Sequence, residues 1–156
     1  MKNSEMQRLD NQICFRVYSL ERAILAAYRP YLKELGITYP QYLVLMALWE
    51  HHSLTIGGLC DLLGLDTGTV SPLVKRMEKQ KLLTRSRLPE DERTVVVELT
   101  DAGSRLKARA AHIPHAIGSC ILGREGDQVD IVAFQKLRQA LDEALIALQN
   151  NVCDSI

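Results

Sequence analysis

Apolar residues recur at intervals of three and four over most of the chain, and this spacing predicts a mainly helical protein. The first helix covers residues 10–34, with a disturbance near Pro30, and Gly36 ends it. Residues 38–41 have the capping-box pattern, with a proline that a first turn tolerates, and they predict a second helix through Trp49.

Two short helices come next, one from about Thr55 to Gly64 and one over residues 66–80. The second repeats apolar residues at i, i+3, i+4 and i+7, namely Val70, Leu73, Val74 and Met77. Its polar and basic residues lie elsewhere on the helix, and Pro72 falls in the first turns, where its cost is limited. Two short helices around a tight glycine-containing turn, the second with a polar and basic face, match the helix-turn-helix plan.

A β-hairpin is predicted after these helices. Residues 83–88 and 94–99 are rich in apolar or β-branched side chains, and the polar segment 89–93 separates them. A hairpin directly after such a helix is the wing of a winged helix. Its basic residues, placed to reach a neighbouring groove or phosphates, are Arg85, Arg87 and Arg93.

The rest of the chain predicts long terminal helices. Thr100 caps a helix that continues, with a break at Pro114, towards Cys120, and residues 125–128 lead into a last helix. The last helix has apolar positions that need burial: Val129, Val132, Leu137, Leu141, Leu145 and Leu148. A compact winged module offers these helices too little surface, so we expect them to pack against the same helices of a second subunit.

The fold class expected is therefore mainly α with a small β-hairpin wing, a winged helix-turn-helix that dimerises through its terminal helices. The chain would be a single domain, residues 1–156, with a DNA-binding core at about 54–99. The dimerisation helices would cover about 8–36 and 100–150.

Composition narrows the class of protein. With 156 residues, 47% hydrophobic content and five prolines, the chain is long enough for one sizeable core and short enough for one domain. No stretch approaches the roughly 18 uninterrupted apolar residues of a membrane span. The first residues also lack the apolar core of a secretory signal, so we expect a cytoplasmic protein that does not act at a membrane.

The formal net charge is zero, which excludes a globally basic nucleic-acid binder. Locally, residues 67–93 contain seven Lys or Arg against four Asp or Glu, whereas residues 125–156 contain two against six. The surplus in the middle of the chain suits a localised phosphate-facing surface. A solvated helix face is the alternative for Lys75, Arg76 and Lys79, but their position just before a basic hairpin favours phosphate contact.

The four cysteines, at positions 14, 60, 120 and 153, lack C-x-x-C spacing and are too sparse for a disulfide framework. We expect each to be a thiol in a reducing compartment, with Cys60 in the core and Cys153 exposed near a frayed terminus. The histidines, His51, His52, His112 and His115, lack a third ligand at convincing spacing. No metal site and no cofactor are predicted.

Several motifs resemble those of the MarR family of winged-helix repressors, over nearly the whole chain. They are LDTGTVSPLVKR at 65–76, DERT at 91–94 and LTDAG at 99–103. A closer resemblance, to the organic hydroperoxide resistance regulators (OhrR-like proteins), comes from three further motifs. These are LDNQICF at 9–15, YRP at 28–30 and ITYPQY at 37–42.

The resemblance implies a dimeric repressor whose reactive cysteine is Cys14, with the phenols of Tyr28 and Tyr39 hydrogen-bonded to it across the dimer. Tyr18 lies one helical turn after Cys14 and is a further neighbour. In subgroup members with one cysteine, a small-molecule thiol completes the oxidation. In members with two cysteines, an intersubunit disulfide completes it. Cys120 falls at the resolving position of the two-cysteine members. The alternative for Cys14 is a small buried hydrophobe, the commoner fate of a helical cysteine.

The expected function is that of a repressor, not an enzyme. Helix 66–80 would enter the major groove of a pseudo-palindromic operator with the wing alongside, and oxidation of Cys14 by an organic hydroperoxide, completed by Cys120, would release the DNA. An ion pair between Asp91 and Arg93 would shape the wing. The residues expected to face DNA are Asp66, Thr67, Gly68, Thr69, Ser71, Pro72, Lys75, Arg76, Arg85, Arg87, Asp91 and Arg93.

Two alternatives stay open. A MarR-type repressor could respond to a small phenolic ligand bound between the dimer helices and the winged module, without thiol sensing. A thiol peroxidase would use Cys14 catalytically, but the helix-turn-helix and the wing would then have no purpose.

Overall fold

The computed structural model describes residues 5, 7–88, 91–122, 124–125 and 128–153. The chain divides into two compact units, Met1–His112 and Ile113–Ile156. Among the described residues, no helix combines the length and the hydropathy that a membrane span requires.

Helix α1 (Ile13–Leu35) begins after a 3-10 turn at Leu9–Asn11 and ends at Gly36, which adopts the left-handed conformation with φ of 71°. The helix was predicted to be disturbed near Pro30, but it runs through this residue without interruption. Pro30 is exposed, as is Ala26, whose carbonyl loses its helical donor. Water can therefore take the place of the missing N–H.

Helix α2 (Tyr39–His51) forms the centre of the first unit. Gln41 Oε1 accepts a hydrogen bond from the backbone N–H of Thr38 at 2.9 Å, as the capping-box pattern predicted. Most of the helix is buried, with fully enclosed side chains at Tyr42, Leu45 and Leu48. The neighbouring elements pack around this helix.

The helix-turn-helix is confirmed as α3 (Ile56–Leu63) and α4 (Thr67–Lys79). The Thr55 hydroxyl caps α3 by accepting from the N–H of Gly58 at 2.9 Å. The four apolar residues predicted to be buried on α4 are buried: Val70, Leu73, Val74 and Met77. We call α4 the reading helix.

The wing consists of β2 (Leu83–Leu88) and β3 (Asp91–Leu99), which pair antiparallel. Strand β3 is longer than predicted because pairing already begins at Asp91, with an irregularity in the register between Arg87 and Leu88. A short strand β1 (Ser53–Thr55) pairs with the other edge of β3, so β3 is the central strand.

Helix α5 (Asp101–Ala110) is held against the end of the reading helix by the LTDAG motif. The Thr100 hydroxyl donates to the carbonyl of Lys81 at 2.6 Å and accepts from the N–H of Gly103 at 3.2 Å. Trp49 Nε1 donates to the Gly103 carbonyl at 3.1 Å. A Cβ at position 103 would overlap the carbonyl oxygen of Leu82, so this close approach requires glycine.

The second unit contains α6 (Ile113–Leu122), β4 (Arg124–Glu125), β5 (Gln128–Val129) and α7 (Ile131–Cys153). The helix break predicted at Pro114 occurs just before it, at positions 111–112, and Pro114 lies in the first turn of α6.

The burial expected along α7 is not achieved within one chain. Its exposed large apolar residues are Ile131, Val132, Phe134, Leu141, Leu145, Ile146 and Leu148, whereas Leu137 is half-buried. The side chains of Val129 and Cys153, for which burial and exposure were predicted, lie outside the described residues. The apolar face of α7 therefore lacks a covering surface in the single chain.

The contact at Gly103 predicts a large effect of a single methyl group. Gly103→Ala should lower the free energy of unfolding by about 3 kcal/mol, because the Leu82 backbone must move away. The matched control is Gly57→Ala, whose Cβ would meet only the Thr55 hydroxyl at 3.8 Å and should change stability by less than about 1 kcal/mol. Urea unfolding of both variants checks this; equal stabilities would contradict it.

Candidate functional site

The reading helix presents a polar, partly basic surface opposite its buried face. Ser71 is half-buried, and the exposed members are Thr67, Gly68, Thr69, Pro72, Lys75, Arg76 and Lys79. Because its apolar face is enclosed in the first unit, the helix cannot turn without exposing its core residues. The orientation of the polar surface is therefore fixed by packing.

Asp66, predicted to face DNA, is the N-cap of the reading helix. Its carboxylate accepts from the N–H of Thr69 at 2.7 Å and from the Thr69 hydroxyl at 3.2 Å. A negative charge is favourable at this helix end and unfavourable against phosphates. The structure thus gives Asp66 a capping role that the prediction did not include.

The Asp91 carboxylate of the wing accepts hydrogen bonds that hold the local backbone, and it does not form the predicted ion pair. It accepts from the backbone N–H of Arg93 at 3.0 Å and from the Thr94 hydroxyl at 2.6 Å. The hydrogen bond from Thr94 is the main reason that the pKa of Asp91 lies below its ordinary value. The predicted ion pair with the Arg93 side chain is therefore wrong, and this guanidinium is exposed at the wing.

The two arginines of β2 have different surroundings. Arg85 donates to Glu78 Oε2 from Nε at 2.9 Å and from Nη2 at 2.6 Å, and both residues are half-buried. These hydrogen bonds hold the pKa of the Glu78 carboxyl below its ordinary value. Arg87 is exposed. Of the basic wing residues, Arg87 and Arg93 are free of the reading helix, whereas Arg85 is tied to it.

The thiols proposed for redox chemistry are accessible in the single chain. Cys14 is exposed in the first turn of α1, beside Ile13 and Tyr18, which are 79% and 53% exposed. Cys120 is exposed on α6. Cys60 is half-buried, with its Sγ 3.7 Å from the Thr67 hydroxyl, so it is less enclosed than predicted. In the single chain Cys14 is therefore exposed, whereas the alternative interpretation expected a buried side chain.

The tyrosines form an aromatic cluster with α2. The ring of Tyr28 lies 4.9 Å from that of Tyr39 and 5.9 Å from that of Tyr42, and Tyr42 lies 6.0 Å from Trp49. Burial, followed by the neighbouring phenols Tyr39 and Tyr42, raises the pKa of Tyr28 to about 12. At neutral pH this hydroxyl is a proton donor. Sequence reasoning missed Tyr42, although its spacing of three from Tyr39 places both on one helix face.

Cys14 and Tyr28 are too far apart in one chain to interact. Both lie on α1, and fourteen residues of helix separate them by about 21 Å, well beyond the reach of the two side chains. Tyr39 packs on Tyr28, so it lies beside the same part of α1. Among the three tyrosines predicted to stabilise the thiolate, Tyr18 is the one placed a single helical turn from Cys14 in the same chain, and the Arg22 guanidinium lies 5.6 Å from its ring.

Comparisons with known proteins agree with this architecture. The profile of the transcriptional regulator family SarA/Rot matches residues 26–110. The organic hydroperoxide resistance transcriptional regulator of Bacillus subtilis is 49% identical over 110 residues, which are 70% of this chain and 75% of that protein. The chain belongs to the SarA/Rot and MarR-type family of winged-helix transcriptional regulators. It is therefore a DNA-binding regulator and not an enzyme.

Solved structures show the same fold in two states of one relative, AbfR, which is a protein of Staphylococcus epidermidis. Reduced AbfR bound to DNA is 32% identical, with a TM-score of 0.81, and the match covers 97% of this chain and 99% of that one. Disulfide-formed AbfR is also 32% identical, with a TM-score of 0.62 and coverage of 96% and 95%. The winged helix-turn-helix fold class predicted from the sequence is confirmed.

The raised pKa of Tyr28 predicts a pH dependence of stability. A phenol whose pKa in the folded protein exceeds its ordinary value of 10.0 makes its full contribution to the free energy of unfolding below pH 10. This contribution is lost as the pH rises towards about 12. In Tyr28→Phe the loss of unfolding free energy between about pH 9 and about pH 11.5 should be smaller than in the wild type. It should not vanish, because burial also raises the pKa of Tyr39 and Tyr42. Urea unfolding at both pH values would contradict this if the two losses were equal.

Proposed function

We propose that this regulator is a homodimeric repressor that releases a pseudo-palindromic operator when an organic hydroperoxide oxidises Cys14, and that Cys120 of the second copy then closes a disulfide. One observation carries the proposal: the exposed Cys14 thiol and the Tyr28 phenol of the aromatic cluster lie about 21 Å apart on helix α1. Two copies of α1 that pack side by side in opposite directions bring each thiol to the other copy's phenols.

The assembly is supported by apolar surface that the single chain leaves uncovered. On α1 the exposed large apolar residues include Ile13, Val17 and Leu20, and α7 adds its own exposed face. A second copy is the occupant that matches both helices, because a twofold axis pairs each surface with its own counterpart. Burial of such surface favours association by about 25 cal/mol per Å².

The phenols supply what the thiol chemistry needs. A thiolate is the nucleophile that cleaves a peroxide bond, and hydrogen bonds from neutral phenols stabilise it without adding charge. The Tyr28 hydroxyl is protonated at neutral pH and can donate, and burial raises its pKa further, to about 12. Exposed apolar residues beside Cys14, such as Val17, suit the apolar tail of an organic hydroperoxide.

The reaction proceeds in two balanced steps. The Cys14 sulfur attacks one peroxide oxygen, an S–O bond forms as the O–O bond breaks, and the alkoxide leaves and takes up a proton as an alcohol. The Cys120 thiol then attacks the sulfur of the sulfenic acid, an S–S bond forms, and water leaves. The two sulfurs lose two electrons, which the hydroperoxide gains. A cellular thiol can reverse the disulfide, as a switch requires.

DNA binding uses the polar surface of the reading helix in the major groove and the exposed Arg87 and Arg93 of the wing alongside. The relative AbfR has been solved in its reduced form bound to DNA, which supports DNA binding by this chain. The two reading helices of a dimer must contact both operator half-sites at the same time. A disulfide that changes the spacing of these helices therefore weakens binding to the operator. The residues proposed to face the DNA are Thr67, Gly68, Thr69, Ser71, Pro72, Lys75, Arg76, Arg87 and Arg93.

Replacing the sensing sulfur should separate DNA binding from its control. Cys14→Ser should bind a duplex selected for tight binding by the reduced protein, and cumene hydroperoxide should no longer release it, as measured by fluorescence anisotropy. The control Cys60→Ser keeps a polar atom next to Thr67 and should still release the DNA. Release from Cys14→Ser by the peroxide would overturn the assignment, and release by a phenolic compound alone would favour ligand control.

Removing the second sulfur should block only the later step. Cys120→Ser treated with cumene hydroperoxide should give Cys14 sulfenic acid by mass spectrometry but no covalent dimer on a non-reducing gel. The wild type should give the covalent dimer under the same conditions. A persistent dimer band in Cys120→Ser would exclude Cys120 as the resolving residue.

A further inference from the structure

The Glu78–Arg85 ion pair joins the last turn of the reading helix to the first strand of the wing. Both Arg85 hydrogen bonds, from Nε at 2.9 Å and from Nη2 at 2.6 Å, reach the same oxygen, Glu78 Oε2. A weaker contact, 4.0 Å between His51 and Glu50, lies outside these two elements. Among the described residues, the Glu78–Arg85 pair is the one ion pair between the two DNA-facing elements.

Glu78 is a fixed anchor, because the end of the reading helix is also held by other hydrogen bonds. Gln41, only 4% exposed, donates from Nε2 to Gln80 Oε1 at 2.7 Å, and this contact ties the helix end to α2. The backbone adds a hydrogen bond from the N–H of Lys81 to the Glu78 carbonyl at 2.8 Å. The ion pair therefore constrains the wing strand rather than the helix.

Arg85 occupies the inner side of its strand. It pairs with Val97 of β3, whose side chain is fully buried, and it follows the buried Leu83 by two positions, so the two share a strand face. The residues on either side, Thr84 and Ser86, are exposed. The guanidinium is thus directed towards the reading helix and not towards the outer surface of the wing.

We propose that Arg85 is a positioning residue: through Glu78 it sets the wing against the reading helix, and it does not neutralise a DNA phosphate. This inference rests on DNA binding alone and does not depend on the thiol chemistry. In the same contact Arg85 compensates Glu78, a carboxylate in the last turn of a helix that meets a polyanion, where a negative charge is unfavourable. The pair then contributes to the recognition of a particular duplex more than to general attraction to DNA.

Removing the Glu78 carboxylate distinguishes a positioning role of Arg85 from phosphate contact, because the two roles predict opposite changes in DNA affinity. Glu78→Ala should weaken binding to a duplex selected for tight binding roughly tenfold, the factor for losing about 1.4 kcal/mol. Alanine favours the helix, so the reading helix should stay folded. Binding to a scrambled duplex of the same composition should not weaken. If Arg85 instead contacts phosphate, the variant frees it and binds the selected duplex equally well or better, and this result would overturn the proposal.

The salt dependence of binding gives an independent readout. Arg85→Met should weaken binding to the selected duplex without changing the slope of log K against log salt. The matched variant Arg87→Met, from the exposed part of the same strand, should weaken binding to both duplexes and lower the slope by about 1. A slope lowered by about 1 in Arg85→Met would contradict the positioning role. The exchanged pair, Glu78→Arg with Arg85→Glu, should bind the selected duplex more tightly than either single variant, and a failure to recover would also contradict it.

Discussion

Helix α1 is a rigid rod that carries the Cys14 thiol near its start and the Tyr28 phenol fourteen residues later. A helix rises by a fixed amount per residue, so this separation of about 21 Å cannot be closed within one chain. The thiol and its proposed hydrogen-bond donors can therefore meet only between copies. The same helix exposes Ile13 and Val17 around the thiol, so assembly and peroxide chemistry would use one surface. A bond formed at this surface would act directly on the way in which two copies face each other.

The reading helix is held to its surroundings along its whole length. Its apolar face is buried, Asp66 caps its start, Gln80 is bonded to Gln41 at its end, and Glu78 connects it to the wing. A module tied in this way is expected to move as a body rather than to melt. This favours control through the spacing of two reading helices over local unfolding of one. The first turn of α2 contains both Tyr39 and Gln41, so the turn that contributes one of the proposed phenols also holds the end of the reading helix.

Much of the fold follows from local sequence patterns. The burial of Val70, Leu73, Val74 and Met77 could be predicted because the spacing of apolar residues on a helix decides which face is enclosed. Capping residues marked the starts of α2 and α5 for the same local reason. The family motifs added the candidate thiol and its phenols, and the structure then placed Cys14 in an exposed position.

The features that could not be predicted depend on contacts between distant residues or on the geometry of a turn. The requirement for glycine at position 103 comes from the Leu82 carbonyl, twenty-one positions earlier. The hydrogen bonds from Arg85 to Glu78 could not be predicted, because they depend on how the strand directs this side chain towards the end of the reading helix. The Asp91 carboxylate bonds to the backbone of Arg93, two residues on, a turn geometry that composition does not specify. The exposed apolar face of α7 is different: the sequence already indicated that one chain offers it too little surface, and the second copy expected to cover it remains a proposal.

The most direct test of the account uses mixed dimers, purified through two different affinity tags, and measures the rate at which cumene hydroperoxide oxidises the single remaining Cys14. One dimer combines Tyr28→Phe and Tyr39→Phe in the chain that keeps Cys14 with a Cys14→Ser partner whose tyrosines are intact. The other combines a wild-type chain with a partner that carries Cys14→Ser, Tyr28→Phe and Tyr39→Phe. The account predicts fast oxidation in the first dimer and slow oxidation in the second, because the phenols act across the dimer. Slow oxidation in the first and fast oxidation in the second would contradict it.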